Sequence, residues 1–336
     1  MKFDFDTIIG EDDLKNYFKN VLENRTAAHA YIISGSKFSG KKLIAKTVAK
    51  SLLCEKEGCL SCNSCKSCHQ FENDNNPDVI YIEHEKDNTI TVEEVRRQVV
   101  DTVLVKPYNN KYKIYIIDEA EKLNKFAQNA LLKTLEEPPG YVIFFILTTN
   151  LNEFLPTILS RCIKLKVKPV ESQKIQDFLI SKYKIPDYEA KEVSNLSFGN
   201  FGRAIEEINN PLKKERREKF LNLIKSLSRM SILDIHELVA DIDKNKEDKK
   251  EIIDDLVDKL KLWFRDVLLY KSTEDDNNIV FSSEISKISS MSNISYEKLN
   301  SMINFIESAR KRLLSNVDGN KVLEILLIEL KENINA

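Results

Sequence analysis

An α/β fold with a parallel sheet, followed by helices alone, is what the sequence predicts for these 336 residues. Three observations carry this expectation. Short β-branched apolar runs alternate with amphipathic stretches through the first half, as in a sheet covered on both faces. A Gly-x4-Gly-Lys segment links the first of those runs to an amphipathic stretch. After Pro169 the strand signal stops, and helical periodicity continues almost to the end.

The first strand is expected at Ala30-Tyr31-Ile32-Ile33-Ser34, with others at 78–82, 112–117, 142–147 and 162–167, so the sheet is five-stranded. Leu43, Ile44, Val48, Leu52 and Leu53 recur at helical spacing over 41–53. Two more helices are expected at 92–104 and 125–137, the latter stopped by Pro138-Pro139. Residues 171–208 offer two or three short helices, with a break at Ser197-Phe198-Gly199-Asn200. From Pro211 the pattern is helical, interrupted by a polar stretch at 272–278. Three domains follow: an α/β domain at 1–168, a small helical domain at 169–209 and an all-helical domain at 210–336. The charge run at 244–250 reads as a solvated helix face or loop.

Composition narrows the function classes. A net charge of −2 supplies no bulk basic field for non-specific DNA binding. No apolar run is long enough to span a membrane, and the N-terminus has no signal-peptide core, so a cytoplasmic location without membrane contact is expected.

Residues 35–42, Gly35-Ser36-Lys37-Phe38-Ser39-Gly40-Lys41-Lys42, form a phosphate-binding loop that departs from the nucleoside-triphosphatase pattern at its last position. Gly35 and Gly40 let backbone N–H groups curl around phosphate oxygens, and Lys41 would reach the β- and γ-phosphates. The final position normally carries the hydroxyl that ligates Mg²⁺. Here it is Lys42, a cation in the place of the metal's ligand, so ATP and Mg²⁺ binding are compromised and no autonomous ATPase activity is expected. Downstream, an apolar strand ends in Asp118-Glu119. Beside a phosphate loop this pair reads as a metal-holding aspartate and a water-orienting glutamate; alone it would be a solvated turn. Asn150 ends the next strand and is either a phosphate-sensing amide or a turn residue. Arg161 precedes the last strand as a surface residue, an internal ion-pair partner, or a finger offered to another subunit's nucleotide.

Of the six cysteines, five lie at Cys54, Cys59, Cys62, Cys65 and Cys68. Repeated two-residue spacings let thiolates converge on one tetrahedral Zn²⁺, and four thiolates close a structural site. A structural zinc is favoured over a redox pair or an iron–sulfur cluster, since nothing nearby resembles electron-transfer machinery. Five candidates fill four places, with His69 and His84 as bystanders.

These pieces together resemble the bacterial clamp-loader ATPases of DNA polymerase III, a family of AAA+ proteins. The carriers are His29-Ala30-Tyr31-Ile32-Ile33-Ser34-Gly35, the cysteine module before Asn76-Pro77-Asp78, residues 129–139 (Asn129-Ala130-Leu131-Leu132-Lys133-Thr134-Leu135-Glu136-Glu137-Pro138-Pro139), and Ser160-Arg161-Cys162. The resemblance extends over 7–208, and Trp263-Phe264-Arg265-Asp266-Val267-Leu268-Leu269 is the best local match beyond it. It implies an AAA+ P-loop domain, a helical lid and an all-α collar for oligomerisation. It also implies a hetero-oligomeric loader that places the sliding clamp on primed DNA during replication. The implied partners are tau/gamma and delta subunits, with the clamp and DNA met through the complex. Arg161 matches the family arginine that serves a neighbour's ATP in trans, and Cys54, Cys62, Cys65 and Cys68 match its zinc ligands, with Cys59 as an alternative to Cys54. The hydrolysing tau/gamma members end their loop in Lys-Thr or Lys-Ser and carry a lid arginine three residues after a glycine. This chain has Lys42 at the first place, and Gly202 at the second with Arg203 one residue later. These departures imply a non-hydrolysing stator rather than the alternative, an ATP-hydrolysing motor subunit.

Overall fold

Alternate residues of a strand point to opposite faces, and the central strands obey this strictly. In the computed structural model, which describes residues 3–56, 60–83, 89–243, 249–276, 278–315 and 317–335, the strands are β1 (Ala30–Ser34), β2 (Val79–Tyr81), β3 (Lys113–Ile117), β4 (Val142–Thr148) and β5 (Ile163–Lys166). They form one sheet in the order β2-β3-β4-β1-β5, every pairing parallel. On one face Ala30, Ile32, Tyr115, Phe144 and Ile146 pack with Ala127, Leu131 and Leu135 of the Lys125–Glu136 helix. On the other, Tyr31, Ile33, Ile116, Phe145 and Leu147 meet Phe18 of the Asp12–Asn24 helix and Ile44 and Val48 of the Lys41–Leu52 helix. Tyr31 stacks on Phe145 and Tyr115 on Phe144, so the two faces are pinned through neighbouring residues of β4. The edge strand β5 is mostly exposed and carries Lys164 and Lys166, charges that discourage pairing with another chain.

The helix expected over 92–104 is shorter and irregular. Thr91 and Glu94 form a capping box at its start, and after Val95 the chain widens into a π-turn over Arg96–Val100, closed by Asp101 N–H donating to Arg96 O. Within that turn the Gln98 carboxamide both donates to Glu83 O and accepts from its N–H. Such a side-chain clamp leaves no trace in hydrophobic periodicity.

The chain separates into two compact units: residues 1–175 with 198–203, and residues 176–197 with 204–336. The second is helical throughout. Trp263 is fully buried in the Lys249–Thr273 helix, edge-on to Phe220 and tilted against Phe281, with Nε1 donating to Met291 Sδ. Asp266, one turn on, accepts the backbone N–H groups of Val280 and Phe281 through Oδ2, pinning the segment that follows the break after Thr273. A charged seam joins Glu192 and Glu189 to Arg217 in the same unit. No helix among the described residues is long and apolar enough to cross a membrane.

Burial raises the Asp266 pKa to about 6, against the two N–H donors and Arg265, which pull it down. A carboxyl whose folded pKa lies above its unfolded value stabilises the fold most below the unfolded value, and that contribution disappears as pH rises through the folded one. Stability of the helical unit should therefore fall by on the order of 2 kcal/mol between about pH 4 and pH 7 on account of this group. Asp266→Asn keeps an acceptor for both N–H groups and should flatten that part of the profile in urea titrations at several pH values.

Candidate functional site

Strand β1 delivers the phosphate loop at its carboxyl end, and Gly40 enters the Lys41–Leu52 helix with φ +88°, a conformation suited to glycine. Within the loop the lysines are satisfied by the chain itself. Lys41 Nζ donates to Gly35 O at 2.9 Å and Ser36 O at 2.8 Å. Burial holds its pKa below the ordinary lysine value, with Glu121, Asp118 and Glu119 pulling the other way. Lys42 Nζ lies 3.0 Å from Asp118 Oδ2, so the ammonium sits on the carboxylate that would hold Mg²⁺. Magnesium requires near-octahedral oxygen ligation at roughly 2.0–2.1 Å. A loop that carries Lys42 in place of the ligand hydroxyl and sets its ammonium on Asp118 does not fit that ion.

The other residues expected around the nucleotide are also engaged locally. Glu119 has φ +47° and pairs with Lys122 at 2.5 Å. Asn150 caps the short turn Leu151–Glu153, accepting from Asn152 N–H and donating to Glu153. Glu121, which the sequence did not single out among three neighbouring carboxylates, accepts from the hydroxyl and N–H of Thr149 and so ties the end of β3 to the end of β4. Burial pushes its pKa up, but those hydrogen bonds hold it below the ordinary glutamate value. Ser36, Ser39, Asn150, Lys166 and Asn200 help line a cavity of about 510 Å³ beside the loop.

Residues 198–203 close onto the loop from the other side. Asn200 Nδ2 donates to Lys37 O at 2.6 Å and Ser36 Oγ at 3.1 Å, and Gly202 N–H donates to Phe38 O at 3.1 Å. A Cβ on Gly202 would stand 2.2 Å from Phe38 O, so no larger residue fits there without moving the loop. A Cβ on Gly199, at φ +74°, would stand 2.6 Å from Val170 O. Arg203 is exposed. The sequence marks Gly199-Asn200 as a turn, but it does not disclose that this turn grips the phosphate loop.

Arg161 lies outside this pocket, at the entry to β5. Its Nη2 pairs with Glu136 Oε1 at 2.7 Å and its Nη1 donates to Thr157 O at 2.7 Å, with a third of the side chain exposed. The Glu136 end of the helix that Pro138-Pro139 stops thus holds the guanidinium at the surface.

Cys54 follows the Lys41–Leu52 helix, Cys62 and Cys65 flank a turn, and Cys68 belongs to the Lys66–Glu72 helix that Cys65 caps. Their four sulfurs lie within 4.8 Å of one another, near the roughly 3.8 Å separation that tetrahedral Zn–S bonds of about 2.3 Å impose. These four cysteines could hold a structural metal such as zinc. Cys62 N–H points at Cys54 Sγ and Cys68 N–H at Cys65 Sγ, both at 3.4 Å, as thiolate ligands require. Hydrogen bonds from Ser64 lower the Cys62 pKa to about 5, while burial raises those of Cys54 and Cys68. Cys59 and His84 lie outside the described residues; His69 is exposed.

The sheet is five-stranded and parallel in the order β2-β3-β4-β1-β5, with the loop at 35–42 following β1, which lies between β4 and the edge strand β5. Residues 10–171 match the family described as DNA polymerase III, delta subunit, and residues 211–331 match DNA polymerase III, delta subunit, C terminal. The chain is 28% identical over 318 residues to the delta′ subunit of DNA polymerase III from Bacillus subtilis (strain 168), covering 93% of this chain and 94% of that one. It is 32% identical over 293 residues to the tau subunit of the same organism, covering 80% of this chain and 50% of tau. The chain spans about half the length of that relative and of Buchnera aphidicola gamma, and a quarter of Haemophilus influenzae tau/gamma. A gamma-subunit-related protein of Thermotoga maritima is similar in structure, with TM-score 0.45 and 17% identity over 95% of this chain and 99% of that one. The chain belongs to the delta′ subunit family of bacterial DNA polymerase III.

The contact at Gly202 makes a direct prediction. Gly202→Ala should break the bond to Phe38 O and cost about 1–3 kcal/mol, read as a lowered urea midpoint and faster amide exchange at 198–203.

Proposed function

We propose that this chain is the non-hydrolysing subunit of a clamp loader. It stands beside tau/gamma-type ATPase subunits and a delta subunit, and acts on the sliding clamp and primed DNA through that complex. The observation that carries this reading is the Lys42–Asp118 pair, 3.0 Å apart, which sets an ammonium against the carboxylate that a magnesium ion would need. The grip of Asn200 and Gly202 on the phosphate loop supports a pocket that does not cycle between nucleotide states. In this reading residues 1–168 form the AAA+ domain, 169–209 the lid and 210–336 the collar. Zinc held by Cys54, Cys62, Cys65 and Cys68 would close the surface module without taking part in chemistry.

Arg161 is the residue that would act outward. Partly exposed and oriented by Glu136, it could meet the γ-phosphate on a neighbouring subunit, where a guanidinium stabilises transition-state charge and is worth about 10³–10⁵ in turnover. In a loader reconstituted with tau/gamma, delta, clamp and primed DNA, Arg161→Ala should lower stimulated ATP turnover at least about tenfold. The isolated variant should melt like the parent chain. Unchanged stimulation would remove the arginine from this role.

The alternative of a motor subunit rests on the intact Asp118-Glu119 pair. Purified chain should show no steady turnover of Mg·ATP. Turnover that disappears in Lys41→Ala would overturn the non-hydrolysing reading.

A further inference from the structure

We propose that Lys50 is the positioning residue of the four-cysteine centre, holding in register the three segments that carry its ligands. The proposal rests on the reading of those cysteines as a zinc site. Lys50 lies in the last turn of the Lys41–Leu52 helix, four residues before Cys54, and its side chain is 0% exposed. A fully buried ammonium is costly unless its donors are satisfied. Here two of its three donors go to residues that belong to the cysteine module. Nζ donates to Asn63 Oδ1 at 2.5 Å and to Glu72 Oε1 at 2.6 Å.

Each partner marks a different ligand-bearing segment. Asn63 directly follows Cys62 and adopts φ +56°, the left-handed conformation that turns the chain between Cys62 and Cys65. Asparagine tolerates that conformation better than most residues. Its carboxamide is fixed on the second side, with Nδ2 donating to Asp4 Oδ2 at 3.0 Å, and Oδ1 also receives Ser61 Oγ at 3.4 Å. Glu72 ends the Lys66–Glu72 helix that carries Cys68. A single ammonium therefore joins the helix leading to Cys54, the turn holding Cys62 and Cys65, and the helix holding Cys68. The N–H···S contacts at 3.4 Å depend on that register.

Polar partners that orient metal ligands, when removed, typically cost about 10–100-fold in metal affinity. The full-length chain is loaded with zinc, and transfer of the metal to a colorimetric chelator is timed for the parent, Lys50→Met, Lys50→Arg and Asn63→Ala. Lys50→Met and Asn63→Ala should release zinc about 10–100-fold faster, while Lys50→Arg should recover part of the loss. The Co²⁺-substituted forms of the two faster variants should show altered ligand-field bands with unchanged helical circular dichroism. If Lys50→Met does not fold, Asn63→Ala, which leaves the Lys50–Glu72 pair in place, decides alone. Parent-like release from folded Asn63→Ala and Lys50→Met would overturn the proposal while leaving the zinc site standing. A parent chain that takes up no stoichiometric zinc would overturn both.

Discussion

Everything that bears chemistry in the first unit hangs on the burial of β1. Its five residues are buried on both faces and paired on both sides, to β4 and to β5, so the strand has no freedom to shift. A one-residue slip would exchange Tyr31 and Ile33 with Ala30 and Ile32 across the sheet. From that fixed strand the phosphate loop emerges on one course only, and the helix after it leads to Cys54. Asp118 directly follows β3, Asn150 lies two residues beyond β4, and Arg161 precedes β5, so all are referred to the same sheet.

Within that frame the loop is held by the chain's own groups. Lys41 closes on two loop carbonyls, Lys42 on Asp118, and Asn200 and Gly202 on Lys37 and Phe38. The Lys42–Asp118 pair is itself substantially exposed and contributes little to stability. Its consequence is positional: the ammonium is held 3.0 Å from the carboxylate that a metal at this loop would need. Coulomb repulsion between an ammonium and a divalent ion in one pocket is larger than the small stabilisation of a surface pair.

Much of this was legible in the sequence. Short, nearly continuous β-branched apolar runs located all five strands, Pro138-Pro139 stopped the Lys125–Glu136 helix, and the glycines with Lys41 marked the loop. Cysteine spacing indicated a four-thiolate site with five candidates, and the family resemblance, not the spacing, pointed to Cys54, Cys62, Cys65 and Cys68, the four whose sulfurs converge. The π-turn after Val95 was not legible, since it accompanies a single side-chain clamp from Gln98 to Glu83. Nor was the cis partner of Arg161: Glu136 is 25 positions away in a motif whose prolines carry the visible signal.

Local residue types therefore determined the elements, the phosphate loop and the loss of its magnesium ligand. Those depend on backbone preference, hydrophobic period and the donor chemistry of one side chain, which neighbouring residues express directly. The tertiary structure decided where the unpaired groups went: Lys42 to Asp118, Arg161 to Glu136, Asn200 to the phosphate loop, Lys50 to Asn63 and Glu72. Such pairings form between segments far apart in the chain and depend on angstrom-scale distances. A hydrogen bond or ion pair is short-ranged, so only the folded arrangement selects its partner.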